Sequence, residues 1–191
     1  RSASPEVNEL YWRARYFWNK RTQDGFQKAM RYFGEAIEKD PSFARAYAGL
    51  ADCYAMRSGA VPPRQTFPSA KLAASRAIQL DDSLAEGHAS LAFILLFYDW
   101  DWPRAEAEYL RAIECNPNYP TAHSMYGMYL VAMKRFPEAM QHMKRALELD
   151  PSSLAIHTGV GRVLLYARRY QDAAAQYSST LEMDPTFPQA L

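Results

Sequence analysis

The sequence predicts an all-α solenoid of about five helix–turn–helix repeats followed by the start of a sixth. Three observations carry this expectation. Asn116-Pro117, Asp150-Pro151 and Asp184-Pro185 recur every 34 residues, with Asp40-Pro41 as an earlier copy and Leu80-Asp81-Asp82 as one whose proline is replaced. Fifteen residues before each of these ends stands an aromatic: Phe26, Phe67, Trp102, Phe136 and Tyr170. Twelve before it stands an alanine, Ala29, Ala70, Ala105, Ala139 and Ala173. Agreement of independent columns at one period is the signature of a repeat architecture, and 191 residues divided by that period is about 5.6 repeats.

The repeats run over residues 6–43, 44–84, 85–119, 120–153 and 154–187, forming a single domain over 6–187, with 188–191 as the start of a further helix. First helices fall at 44–57, 85–98, 121–134 and 154–168. In each second helix the large residue (Phe33, Ala74, Tyr109, Met143, Tyr177) and the small one three further on (Ala36, Ala77, Ala112, Ala146, with Thr180 the exception) recur at the spacing of one helical face. Pro68, Pro103 and Pro137 follow the loop aromatic and suit the first helical position, where a missing N–H costs nothing. The closing Asp/Asn-Pro ends the helix and sets the turn to the next. Ala51, Ala92, Gly127 and Gly161 mark where paired helices approach closely. The first repeat carries about three extra loop residues near 21–24, and the second an insertion at 58–66 containing Pro62-Pro63. Helices this short are marginal alone, so each pair must bury its apolar face against its neighbours.

Composition excludes several function classes. Lys plus Arg is 22 and Asp plus Glu 21, a formal net charge of +1, which lacks the basic excess of a nucleic-acid binder or a polybasic membrane anchor. The longest apolar run, 91–97, falls far short of the ~20 residues that span a bilayer. Two cysteines, Cys53 and Cys115, are too few for a disulfide framework and read as buried small apolar residues. That favours the cytoplasm, with the extracytoplasmic side of a membrane-anchored parent as the alternative. With no initiator Met and no signal peptide, the chain reads as a fragment of something larger.

No catalytic constellation emerges. His88, His123 and His157 share one repeat column, but equivalent residues of adjacent repeats lie on the order of 10 Å apart, whereas zinc ligands converge within ~2 Å of the ion. The column therefore reads as packing, and His142, outside it, as exposed. Gly159-Val160-Gly161 lies inside a helix with no preceding strand, unlike a phosphate-binding loop. The expectation is of no catalytic residue, metal or cofactor in these residues; enzyme activity would lie in another part of the parent.

The pattern resembles the tetratricopeptide repeat family over nearly the whole chain, about 6–185. Tyr47, His88, His123 and His157 stand in the family's tryptophan-like column. The resemblance implies a right-handed superhelix whose first helices line a concave groove that holds a protein or peptide segment. In that register the groove contacts are Tyr11, Arg15 and Trp18 from the first repeat, and Arg45 and Asp52 from the second. Glu86, Phe93 and Phe97 follow from the third, Met128 from the fourth, and Arg162 and Tyr166 from the fifth. Aromatic and aliphatic residues with isolated arginines suit a segment with apolar anchors and an acidic group or two. The subclass that clamps acidic chaperone tails is not expected: of Tyr11, Arg15, Gly49, Glu86 and Ser90 at its binding positions, only one is cationic.

Trp102 takes the core aromatic column, Asp101 suits a helix cap, and the extra Trp100 is either a loop contact or folded back over its repeat. The stretches 10–22 and 97–102 resemble a narrower group, the C-terminal repeat regions of large bacterial signalling proteins of the serine/threonine kinase, winged-helix regulator or cyclase type. That implies a sensing or recruiting role in regulation. The alternative is self-association: an apolar face around Tyr177 and Leu181 on the fifth repeat would pair with a second copy.

Overall fold

In the computed structural model, residues 3–56, 61–187 and 189–190 are described. Ten α-helices lie among them: α1 (Pro5–Asn19), α2 (Gln23–Lys39), α3 (Ala44–Met56), α4 (Pro63–Leu80), α5 (Ala85–Ile94), α6 (Trp102–Cys115), α7 (Pro120–Ala132), α8 (Phe136–Leu149), α9 (Leu154–Tyr166) and α10 (Tyr170–Met183). They pair as antiparallel neighbours in chain order, giving five helix–turn–helix repeats and the all-α solenoid that the period predicts. The chain divides into two compact units, Arg1–Cys115 with repeats one to three and Asn116–Leu191 with repeats four and five. In the first unit α3 packs on α1 and α5, so the first helices form a layer; in the second, α7 packs on α9. Among the described residues no helix is long and apolar enough to cross a membrane.

The closing turn works through the acidic side chain more than through the proline. The Asp40 carboxylate accepts from the Ser42 N–H (2.9 Å) and hydroxyl (2.6 Å), and Asp81, Asp150 and Asp184 do the same with Ser83, Ser152 and Thr186. Asn116 accepts from the Asn118 N–H at 3.0 Å. These Asx turns mimic a backbone turn, which is why the second repeat closes normally although Asp82 replaces proline.

The turns inside the fourth and fifth repeats are built alike. Lys134 and Arg168 sit in the left-handed region, φ 60° and 63°, and the next N–H reaches back five residues: Arg135 N to Leu130 O at 2.8 Å, Arg169 N to Leu164 O at 2.9 Å. This is the Schellman arrangement. The third repeat has one more residue between its column histidine and its loop aromatic (88 to 102, against 123 to 136 and 157 to 170). The surplus is absorbed as a π-helical turn, Leu95–Asp99; Trp100 takes the left-handed position at φ 57°, and the Asp101 N–H reaches back six residues to Leu95 O at 3.0 Å.

Several sequence expectations need correction. Pro68 is inside α4, not at its start. The helix begins at Pro63, and the added turn buries Thr66 and Phe67, the latter stacked on Tyr98 at 5.0 Å, which offsets a proline in the helix interior. The insertion expected at 58–66 is therefore helical from Pro63; its residues 58–60 lie outside the described residues. Trp102 is 43% exposed and stands against the Trp100 ring, itself 70% exposed, whereas Phe26 and Phe67 in the same column are buried. Cys53 is buried, but Cys115 is only partly so. His142 is half-buried because it faces His123.

Gly34, in the middle of α2, tests how much of this is backbone propensity. A Cβ there meets nothing within 4 Å. Gly34→Ala is expected to raise stability by about 0.5–1 kcal/mol, since Ala is that much more favourable in a helix interior; a thermal unfolding midpoint no higher than the native one contradicts it.

Candidate functional site

The first-helix layer of the first unit holds a polar and aromatic cluster drawn from α1, α3 and α5. Asp52 on α3 is buried. It accepts from the Ser90 hydroxyl of α5 at 2.6 Å and faces the Arg15 guanidinium of α1 at 3.7 Å. Burial pushes the Asp52 carboxyl above the usual carboxylate range, while Arg15 and the Ser90 hydrogen bond pull against that shift. Arg45 on α3 reaches Glu86 of α5 at 3.3 Å and lies over the rings of Tyr11 (4.5 Å) and Trp12 (5.5 Å) of α1. Three helices are thus cross-linked by two charge pairs.

Alternation along α1 decides which side chains remain accessible. Tyr11 and Trp18 are buried in the core of the first repeat with Val7, Ala14, Phe26 and Phe33. Trp18 is covered by the guanidinium groups of Arg15 (4.4 Å) and Arg21 (3.5 Å). Trp12 and Tyr16, one helical turn apart, are 59% and 57% exposed. Of the residues that the sequence reading places in the groove, Tyr11, Trp18 and Asp52 are therefore supports, held beneath the surface, and Arg15 and Glu86 are nearly covered. Arg45 keeps 38% of its side chain exposed. Phe93 is half-buried against Phe97, ring centroids 4.5 Å apart, and Phe97 is 52% exposed. In the second unit Met128 and Arg162 are half-buried and Tyr166 is exposed. Structure brings Tyr11, Arg15, Trp18, Arg45, Asp52 and Glu86 into one cluster.

Trp12 and Tyr16 are absent from the residues expected on sequence grounds. They fall outside the repeat columns, and their signal is the i, i+4 aromatic pair beside a buried pair on the same helix.

The column histidines clip the third, fourth and fifth repeats shut. Nε2 of His88, His123 and His157 lies 2.9–3.0 Å from the carbonyl oxygens of Asp82, Pro117 and Pro151 in the preceding turn. Nδ1 faces the second helix, at Glu108, His142 and Gln176 respectively. Tyr47, in the same column, donates its hydroxyl to Pro41 O at 3.4 Å. Among the described residues no group of three or more His, Cys, Asp or Glu could hold a metal ion.

Comparison with known proteins agrees with the architecture. Three family models, each described as a tetratricopeptide repeat, match residues 13–62, 108–141 and 130–191. No curated protein matches the sequence significantly. Among solved structures, the chain is similar to TTC0263, a thermophilic tetratricopeptide-repeat protein of Thermus thermophilus, with 17% identity, TM-score 0.75, and 96% of this chain and 94% of that one covered. It is also similar to PilW, a type IV pilus biogenesis factor (17% identity, TM-score 0.64, 95% and 79% covered). YrrB, described as having an unusual peptide-binding site, matches at 20% identity and TM-score 0.55, with 99% and 90% covered. At these identities the likeness is one of fold.

Proposed function

Tetratricopeptide repeats make up this chain, and on that premise we propose that it is a protein-interaction scaffold that works by binding rather than by catalysis. The occupant is a peptide or protein segment held on the first-helix layer. The observation that supports this is Arg45: a half-exposed guanidinium fixed between Glu86 and the Tyr11 and Trp12 rings, next to exposed aromatic surface. A cation so positioned presents its donors without further loss of side-chain freedom on binding. It suits a segment with an acidic group beside an apolar anchor. The resemblance at 10–22 and 97–102 supports a place in a larger bacterial regulatory protein, with this region sensing or recruiting for signalling or transcriptional control.

A displayed random-peptide library is the test. Native protein should enrich peptides pairing Asp or Glu with an aromatic or aliphatic residue, and Arg45→Ala combined with Trp12→Ala should lose them with helicity unchanged. Equal enrichment by both proteins would remove this face as the binding surface.

Self-association remains the second reading because α10 buries only Ala173 and Thr180, leaving Tyr170 60% and Met183 48% exposed. Tyr177 and Leu181 are half-buried, and Phe187 and Ala190 are buried, so the large exposed apolar side chains lie at the ends of α10. A single sedimentation coefficient across a wide concentration series would rule it out.

A further inference from the structure

The third, fourth and fifth repeats close on a histidine at one equivalent position, and what faces it differs each time. In the third, both ring nitrogens of His88 meet acceptors: Nε2 the Asp82 carbonyl at 2.9 Å and Nδ1 the Glu108 carboxylate at 2.7 Å. Only the imidazolium has a proton for each. The Glu108 hydrogen bond is the main cause raising the His88 pKa above the ordinary imidazole value, against burial. The Asp82 carboxylate at 3.9 Å adds to it while facing Arg111 at 3.5 Å.

In the fourth repeat the arrangement is the reverse. The Pro117 carbonyl fixes the N–H of His123 on Nε2, so Nδ1 presents a lone pair, and His142 Nδ1 lies 3.1 Å from it. Ring centroids are 5.3 Å apart with planes 27° from parallel, so the two nitrogens meet nearly head-on. That spacing suits one shared proton; a metal in line between them would need roughly 4 Å, two bonds of about 2 Å each. A second proton on this contact would set two N–H groups against each other. Burial, first, and the facing His123 depress the His142 pKa. Arg135 at the start of α8 acts the same way, and Glu138 opposes it but is bound to Arg135 at 2.6 Å; Tyr126 of α7 sets its ring at 4.7 Å. In the fifth repeat His157 Nδ1 meets the Gln176 amide at 3.2 Å, whose two ends can serve either state of the ring.

We propose that the fold carries a proton-sensitive device: the His123–His142 contact makes the α7–α8 hairpin open in mild acid, while the His88–Glu108 contact holds α5–α6 shut over the same range. The signs follow from linkage. A histidine with a depressed folded pKa contributes stability above its unfolded value of about 6.5 that is lost as pH falls; one with a raised folded pKa contributes stability below that value, lost as pH rises. A proton withheld from the closed hairpin and taken up by the open one lowers the closed-to-open ratio of α7–α8 as pH falls below about 6.5, with a limiting slope of about tenfold per pH unit.

Amide hydrogen exchange on the full chain at pH 6.5 and 5.0, corrected for intrinsic rates, reads this directly. Protection in α7–α8 should fall by up to about fifteenfold in the native protein, stay level in α5–α6, and stay level throughout in His142→Gln, which copies the fifth repeat's pairing. His123→Tyr, matching Tyr47 in the second repeat, is the second variant if the first does not fold. Equal change in native and variant proteins, or none in either, overturns the proposal. So does proton NMR showing His123 and His142 protonating together in the ordinary imidazole range.

Discussion

Arg15→Ala is expected to destabilise the first unit by about 3 kcal/mol at pH 7, because it strands a buried carboxylate. Asp52 is 5% exposed, and the cation that acts on it most strongly is the Arg15 guanidinium at 3.7 Å, with Arg21 the weaker second. Asp52→Asn added to Arg15→Ala should restore most of the loss, since an amide keeps the Ser90 contact without needing a counter-charge. The pH dependence gives a second readout. The folded pKa of Asp52 is raised, so its favourable contribution is complete below the unfolded carboxylate value and is lost as pH rises through the folded one. Without Arg15 that pKa rises further, and the deficit of the single variant relative to native should shrink as pH is lowered from 7 toward 5. Urea unfolding of both proteins across that range checks it; a deficit independent of pH would locate the damage in the lost cover of Trp18 instead.

Gly49→Ala is expected to cost about 2 kcal/mol even though Ala is the better helix former. A Cβ at Gly49 would fall within the van der Waals envelope of the Phe33 ring tip, and Phe33 is fully buried between the first two repeats. Overpacking of this kind costs about 1–3 kcal/mol and sometimes more, against a propensity gain of nearly 1 kcal/mol. Phe33→Leu, which shortens the ring, should make the added methyl tolerable, so the double variant should lose less than the two single losses combined. Gly34→Ala, with open space around the new methyl, is the control of opposite sign.

Both residues show how far sequence carries the argument. Helix order and extent were legible because every repeat solves the same burial problem with the same columns, and first helices end within two residues of their expected bounds outside the third repeat. The site was legible only as a helix face. The register implied by the family resemblance names Tyr11, Arg15 and Trp18 together, but whether a ring points into its own repeat or away depends on neighbours that other repeats supply, and Trp12 belongs to no column. Sequence pattern alone treats the column histidines as packing and His142 as exposed; the structure joins His123 to His142 across a hairpin, at a separation of nineteen residues that no single-helix pattern registers. The early start of α4 is hidden for a related reason: Phe67 is buried and stacks on Tyr98, from the next repeat, a contact that no pattern within its own repeat registers.

The π turn at Leu95–Asp99 means that the unit kept constant along this chain is geometric, not arithmetic. A residue was added to the third repeat, yet the clip to Glu108 still forms, at a separation of twenty residues where its counterparts use nineteen. Extra length is stored as one wider turn and does not propagate as a frame shift into the next helix. Such a chain can gain single residues inside its helices as well as in its loops, and a search that demands a fixed period will undercount its repeats wherever this has happened.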